Sequence, residues 1–113
     1  MKFIMTISAA IIVATIAPAK ASYMTGNELL EECTGNVGKQ MSCLGYIEGV
    51  SDSLDLGRAN NSRSGCVADG VTAGQLQDVV IRYLRNNPEK RNFDASVLTV
   101  IALGEAWNCK SKP

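Results

Sequence analysis

The most definite chemistry in this chain belongs to its cysteines, Cys33, Cys43, Cys66 and Cys109. No two of them make the C-x₂₋₄-C knuckle that a zinc site brings. An even count in a small exported domain reads instead as two disulfides. Oxidised sulfur is no nucleophile, because the reactive form is the thiolate. The sequence has no histidine, which removes the commonest general base, triad member and metal ligand. It also lacks a phosphate-cradling glycine loop, a zinc motif and a calcium loop. No cofactor and no metal are therefore expected. The carboxylates Glu48 and Asp52, or Asp52 and Asp55, stand four and three residues apart and could share a helix face. Such a pair is glycosidase machinery in principle, but solvated acids are far commoner at such sites. Catalysis is the weaker functional class, and a binding or inhibitory module the stronger.

The elements that carry these residues begin after a leader. Lys2 precedes an apolar run from Phe3 to Ala17, and Pro18 is followed by Ala19-Lys20-Ala21, a small-x-small site. This reads as a secretory signal peptide over residues 1–21, cleaved after Ala21. The run is short of the ~20 apolar residues of a membrane span, and no later stretch is long and apolar enough. The mature domain is expected at residues 22–113, with no membrane attachment after cleavage. The formal balance of 11 basic and 11 acidic residues turns slightly acidic once Lys2 and Lys20 leave. That excludes the basic stripe of a nucleic-acid partner and suits an anionic membrane surface poorly.

Three helix starts are well signalled. Thr25-Gly26-Asn27-Glu28 is a capping box with Met24 and Leu29 at the staple positions, and Gly35 marks the end of that helix. Thr72-Ala73-Gly74-Gln75 is a second box, with Val71 and Leu76. Asp94 is the third N-cap, with Phe93 and Leu98. A further helix runs from about Lys39 to about Leu56 with Cys43, Ile47, Val50 and Leu54 on one stripe. Within it, Gly45 and Gly49 lie four apart on another face. Each costs about 0.5–1 kcal/mol against Ala in a helix, so the pair implies that something packs close there. Leu76, Val79, Val80, Tyr83 and Leu84 form the inner stripe of the third helix. Val97, Leu98, Ile101 and Ala102 are the expected inner face of the fourth.

The fold class is thus all-α, a small four-helix domain with two disulfides and no strand pattern. Short links make consecutive helices antiparallel neighbours. Cys33 ends the first helix and Cys43 begins the second, so Cys33–Cys43 is the natural bridge. The same logic pairs Cys66 with Cys109, which contributes on the order of 3–4 kcal/mol in the chain-entropy model. Gly57 to Gly70 is the longest irregular segment, rich in Gly, Asn, Ser and Asp. A loop of that length in a compact domain is usually functional or disordered.

Taken together, several blocks resemble a known family. They are Gly26-Asn27-Glu28-Leu29-Leu30 with Cys33, then Cys43-x-Gly45-Tyr46-Ile47-x-Gly49-Val50-x-Asp52, then Cys66. Gln75-Leu76-x-x-Val79-Val80-x-x-Tyr83-Leu84, Pro88, Ala95 and Ala102-Leu103 before Cys109 complete the set. This pattern is similar to the Rap/Tai immunity proteins, periplasmic antitoxins of the bacterial type VI secretion system. The resemblance implies a disulfide-bonded, all-helical periplasmic protein that often forms a homodimer. It also implies a partner, a secreted papain-like peptidoglycan amidase whose cleft the protein occludes. The Gly57–Gly70 segment matches no toxin-contacting motif, yet it is the natural contact loop on a stapled scaffold. Arg58, Asn60, Asn61 and Arg63 are its candidate partner-binding residues. The competing reading is a small periplasmic stress or chaperone-like protein with no dedicated toxin, and a weaker one is an enzyme using Glu48 and Asp52.

Overall fold

The computed structural model describes residues 23–60 and 67–107, except for the side chains of residues 55–60. Four α-helices follow in order: α1 Gly26–Thr34, α2 Val37–Asn60, α3 Ala73–Asn86 and α4 Ala95–Ala106, with a 3-10 turn Pro88–Lys90 between the last two. The described residues contain no strand, only one isolated antiparallel bridge between Thr25 and Asp94. The all-α expectation holds. Cys66 and Cys109 lie outside the described residues, and so does the second bridge.

Both capping boxes form. The Thr25 backbone N–H donates to Glu28 Oε2 at 2.7 Å, and the Glu28 N–H donates to Thr25 Oγ1 at 3.3 Å. Thr72 and Gln75 repeat the exchange at 2.7 and 3.2 Å. Each box satisfies donors that a helix start otherwise leaves unpaired. A third cap, unanticipated, starts α2. Asn36 Oδ1 accepts the Lys39 N–H at 3.0 Å and the Asn36 carbonyl accepts the Gln40 N–H at 2.9 Å. Asn is among the best N-caps, so α2 begins at Val37 rather than Lys39. At its far end α2 continues through Gly57, Arg58, Ala59 and Asn60, which corrects the expected loop start at Gly57. One interior Gly costs about 1 kcal/mol, less than a long helix loses by stopping early, and Arg and Ala are good helix formers.

The start of α4 departs from expectation in an instructive way. Asp94 is the N-cap residue, but its side chain makes no capping bond. Backbone groups do the capping. The Ala95 N–H donates to the Met24 carbonyl at 2.8 Å, the Gly26 N–H to the Phe93 carbonyl at 2.9 Å, and the Asn27 N–H to the Arg91 carbonyl at 2.8 Å. The first turns of α1 and α4 thus satisfy each other's neighbourhood. Phe93 is consequently 57% exposed rather than stapled inward. This contact needs a glycine at position 26. A Cβ there would meet Leu98 Cδ1 at 2.5 Å and the Arg91 carbonyl oxygen at 3.0 Å.

The other end of α1 is bound to α2 by the Cys33–Cys43 disulfide, with a Cα–Cα distance of 5.0 Å, as expected. Both cysteines are buried. Gly35 caps α1 at φ −83°, so no left-handed conformation demands it. Close approach does, since a Cβ there would meet the Lys39 side chain at 2.6 Å. Lys39 in turn reaches Glu31 at 3.2 Å, an exposed pair worth about 0–1 kcal/mol.

The core joins Leu29 and Cys33 of α1, Cys43 and Ile47 of α2, Leu76, Val80, Tyr83 and Leu84 of α3, and Leu98, Ala102 and Leu103 of α4. Gln77 Nε2 ties α3 to α2 through the Gln40 carbonyl and Cys43 Sγ, both at 3.4 Å. The α3 stripe is as anticipated. In α4 the inner face is Ala95, Leu98, Thr99, Ala102 and Leu103, whereas Val97 and Ile101 point outward. Thr99 is accommodated because its hydroxyl donates to the Ala95 carbonyl at 2.7 Å.

Two outcomes follow from these locks. Gly26→Ala should lower stability by about 1–3 kcal/mol through overpacking, read as a drop in the melting temperature of the mature protein. The Thr25 bonds hold the Glu28 carboxyl below its ordinary value of 4.5, first through the backbone N–H and then through the hydroxyl. A depressed folded-state value means the contribution is full above the unfolded value and is lost as pH falls through the folded one. Acid titration of stability should therefore show a decline setting in below pH 4.5 that is shallower in Glu28→Gln.

Candidate interaction surface

Helix α2 packs through one face and leaves another open. Its core residues Cys43 and Ile47 are continued by Ser51, which is 6% exposed. The row Val37, Met41, Gly45, Gly49 and Ser53, spaced by four, is exposed. A Cβ built at Gly45 or at Gly49 would have nothing within 4 Å. The two glycines are therefore not packed against the rest of the described chain, contrary to the simplest reading of their spacing. They form a trough on the surface.

Helix α4 supplies the other wall. Its sequence carries apolar residues on more than one face, with Ser96, Thr99 and Glu105 as the polar exceptions, which is more than one buried face requires. Only the Leu98 side is covered. Val97 remains 51% exposed, and Val100 and Ile101 each 38%. Between α2 and α4 lies a groove of about 610 Å³ that includes Gly45, Tyr46, Gly49, Val50, Leu54 and Val100. Among the described residues, Ser53 and Ser96 complete its lining. Ser53 Oγ donates to the Gly49 carbonyl at 2.8 Å, so its hydroxyl is already engaged. No charged side chain of the described residues lines the groove.

The chemistry of this surface is that of apolar association. Val50 and Leu54, expected in the core stripe, are half-buried in its floor. The carboxylates Glu48 and Asp52 lie on a different side of α2. They share a polar depression of about 460 Å³ with Asp69, and both are exposed. No cluster of potential metal ligands occurs among the described residues, and no described helix is long and apolar enough to cross a membrane.

The candidate partner contacts sit elsewhere. Arg58 and Asn60 fall on the last turn of α2, and their side chains are outside the described set. Asn61 and Arg63 lie wholly outside the described residues. The structure does bring together Gly45 and Gly49 of α2 with Ser96 and Val100 of α4, a combination that sequence reasoning missed. The available signal was the apolar excess of α4, which is more than one buried face requires.

The described residues thus form a disulfide-stapled four-helix domain with an apolar surface groove. The sequence profile of the family described as Rap1a immunity proteins matches residues 25–109, and the chain belongs to that family. No curated protein and no solved structure gives a match.

Because both glycines face open space, Gly45→Ala and Gly49→Ala should each stabilise the isolated chain. The expected gain is about 0.5–1 kcal/mol from helix propensity, measured by thermal or urea unfolding at low protein concentration.

Proposed function

We propose that this protein is a periplasmic immunity protein that binds a secreted peptidoglycan amidase of a type VI secretion system and blocks its active-site cleft. Membership of the immunity-protein family across residues 25–109 carries this reading. The buried Cys33–Cys43 disulfide supports it, because such bridges persist in oxidising compartments outside the cytoplasm. So does the leader-like segment 1–21, after which residues 22–113 would form the mature domain. Inhibition by occlusion needs no catalytic group in the inhibitor, consistent with a chain without histidine. Arg58, Asn60, Asn61 and Arg63 are the proposed effector contacts. Arg58 and Asn60 lie on the last turn of α2, where a helical backbone lowers the ordering cost of binding.

The α2/α4 surface is assigned a second role, association of two copies of this chain. A twofold interface must be self-complementary. This one would offer both the ridge of Val97, Val100 and Ile101 and the trough at Gly45 and Gly49. Among the described residues no charged side chain lines it, so a twofold axis brings none of their like charges together there. The same exposed apolar face keeps one alternative in view, a small stress or chaperone-like protein of the same compartment with many weak clients.

Capture with tagged mature protein from periplasmic and secreted fractions of the source organism, read by mass spectrometry, separates the two. A single stoichiometric amidase with a papain-like Cys–His site is the expected outcome. A spread of unrelated clients would replace the immunity reading with the chaperone one.

A further inference from the structure

A second cavity, of about 270 Å³, opens between the later turns of α3 and the last turn of α4. Unlike the apolar groove, it is lined by groups that form specific polar bonds: Arg82, Tyr83, Asn86, Asn87 and Glu105. Arg82 and Glu105 carry opposite charges on its two walls, yet they form no ion pair with each other or with any described residue. Asn87 Nδ2 donates to the Tyr83 carbonyl at 2.8 Å, which fixes that amide and leaves its oxygen available as an acceptor. The Tyr83 side chain is 8% exposed, and its hydroxyl is buried without a hydrogen-bond partner. A buried unpaired hydroxyl is costly and calls for a water or ligand to complete it.

We propose that this cleft binds a small zwitterion, a free amino acid or a dipeptide. The ligand's carboxylate sits on the Arg82 guanidinium, whose planar fork matches a carboxylate with two parallel bonds. Its ammonium sits on the Glu105 carboxylate. In a dipeptide, the Asn86 and Asn87 amides take the peptide group between them. Its volume of about 270 Å³ suits a ligand of this size. Val79 and Ala102 form the apolar part of the wall and leave room for a short side chain. This assignment is independent of the immunity reading, and either can fail alone.

The test is a titration of isotope-labelled mature protein, disulfides intact, followed by amide NMR. The probes are alanine, alanylalanine, and the same dipeptide acetylated and amidated. Saturable shifts at Arg82, Asn86, Asn87 and Glu105 with alanine or alanylalanine, and none with the capped form, are expected. Which of the two saturates first tells whether one residue or two fill the cleft. Arg82→Gln and Glu105→Gln, both at exposed positions, should keep the native spectrum and weaken binding at least tenfold. Shifts that do not saturate, that persist with the capped peptide, or that survive in both variants would overturn the proposal.

Discussion

The exchange of backbone hydrogen bonds between the starts of α1 and α4 sets the geometry of the whole domain. Met24, Gly26 and Asn27 pair with Ala95, Phe93 and Arg91 at 2.8–2.9 Å. These bonds cap two helices at once, and they form only because position 26 has no Cβ. The opposite end of α1 is joined covalently to α2 through Cys33 and Cys43. α1 is thus a short strut with α4 fixed at one end and α2 at the other. The separation of α2 from α4, and with it the groove between them, follows from that strut. α3 fills the remaining side with Leu76, Val80, Tyr83 and Leu84.

This arrangement explains why the surface is apolar where it is. A domain this small has one core, and each helix can bury one stripe against it. α3 obeys that limit, with polar residues on its outer side. α4 does not, because Val97, Val100 and Ile101 are additional to the residues its inner face needs. α2 adds Val37 and Met41 to the same excess. Exposed apolar residues standing singly need no explanation, but a groove lined by Tyr46, Val50, Leu54 and Val100 beside the two glycines marks an interaction surface. The rigid scaffold and the leftover apolar face are two consequences of one packing solution.

What was legible in the sequence was local. The capping boxes at Thr25 and Thr72 are contacts over three residues, and both were readable from residue type and spacing. The Cys33–Cys43 bridge followed from a short link between two helices. The Asn36 cap was missed because Asn-Val-Gly also reads as a turn. The phase of α4 was misjudged at Val97 and Ile101, since an apolar pattern on more than one face gives no preferred inward direction. The α1/α4 exchange was invisible because it joins main-chain groups far apart in sequence and involves no side chain except the missing one at Gly26. The spacing of Gly45 and Gly49 implied close packing, but nothing among the described residues packs there, since spacing alone does not say which face of a helix is covered. The proposed contacts at Arg58, Asn60, Asn61 and Arg63 rest on composition, and only the helical backbone at Arg58 and Asn60 is placed.

The central claim is that the α2/α4 face is built to be covered by a second copy of the chain. Sedimentation equilibrium of the mature protein, beside a Gly49→Leu variant that fills the trough, tests it most directly. The account predicts a concentration-dependent dimer for the natural sequence and a folded monomer for the variant. A natural protein that stays monomeric at every concentration, or a variant that dimerises equally well, would contradict it.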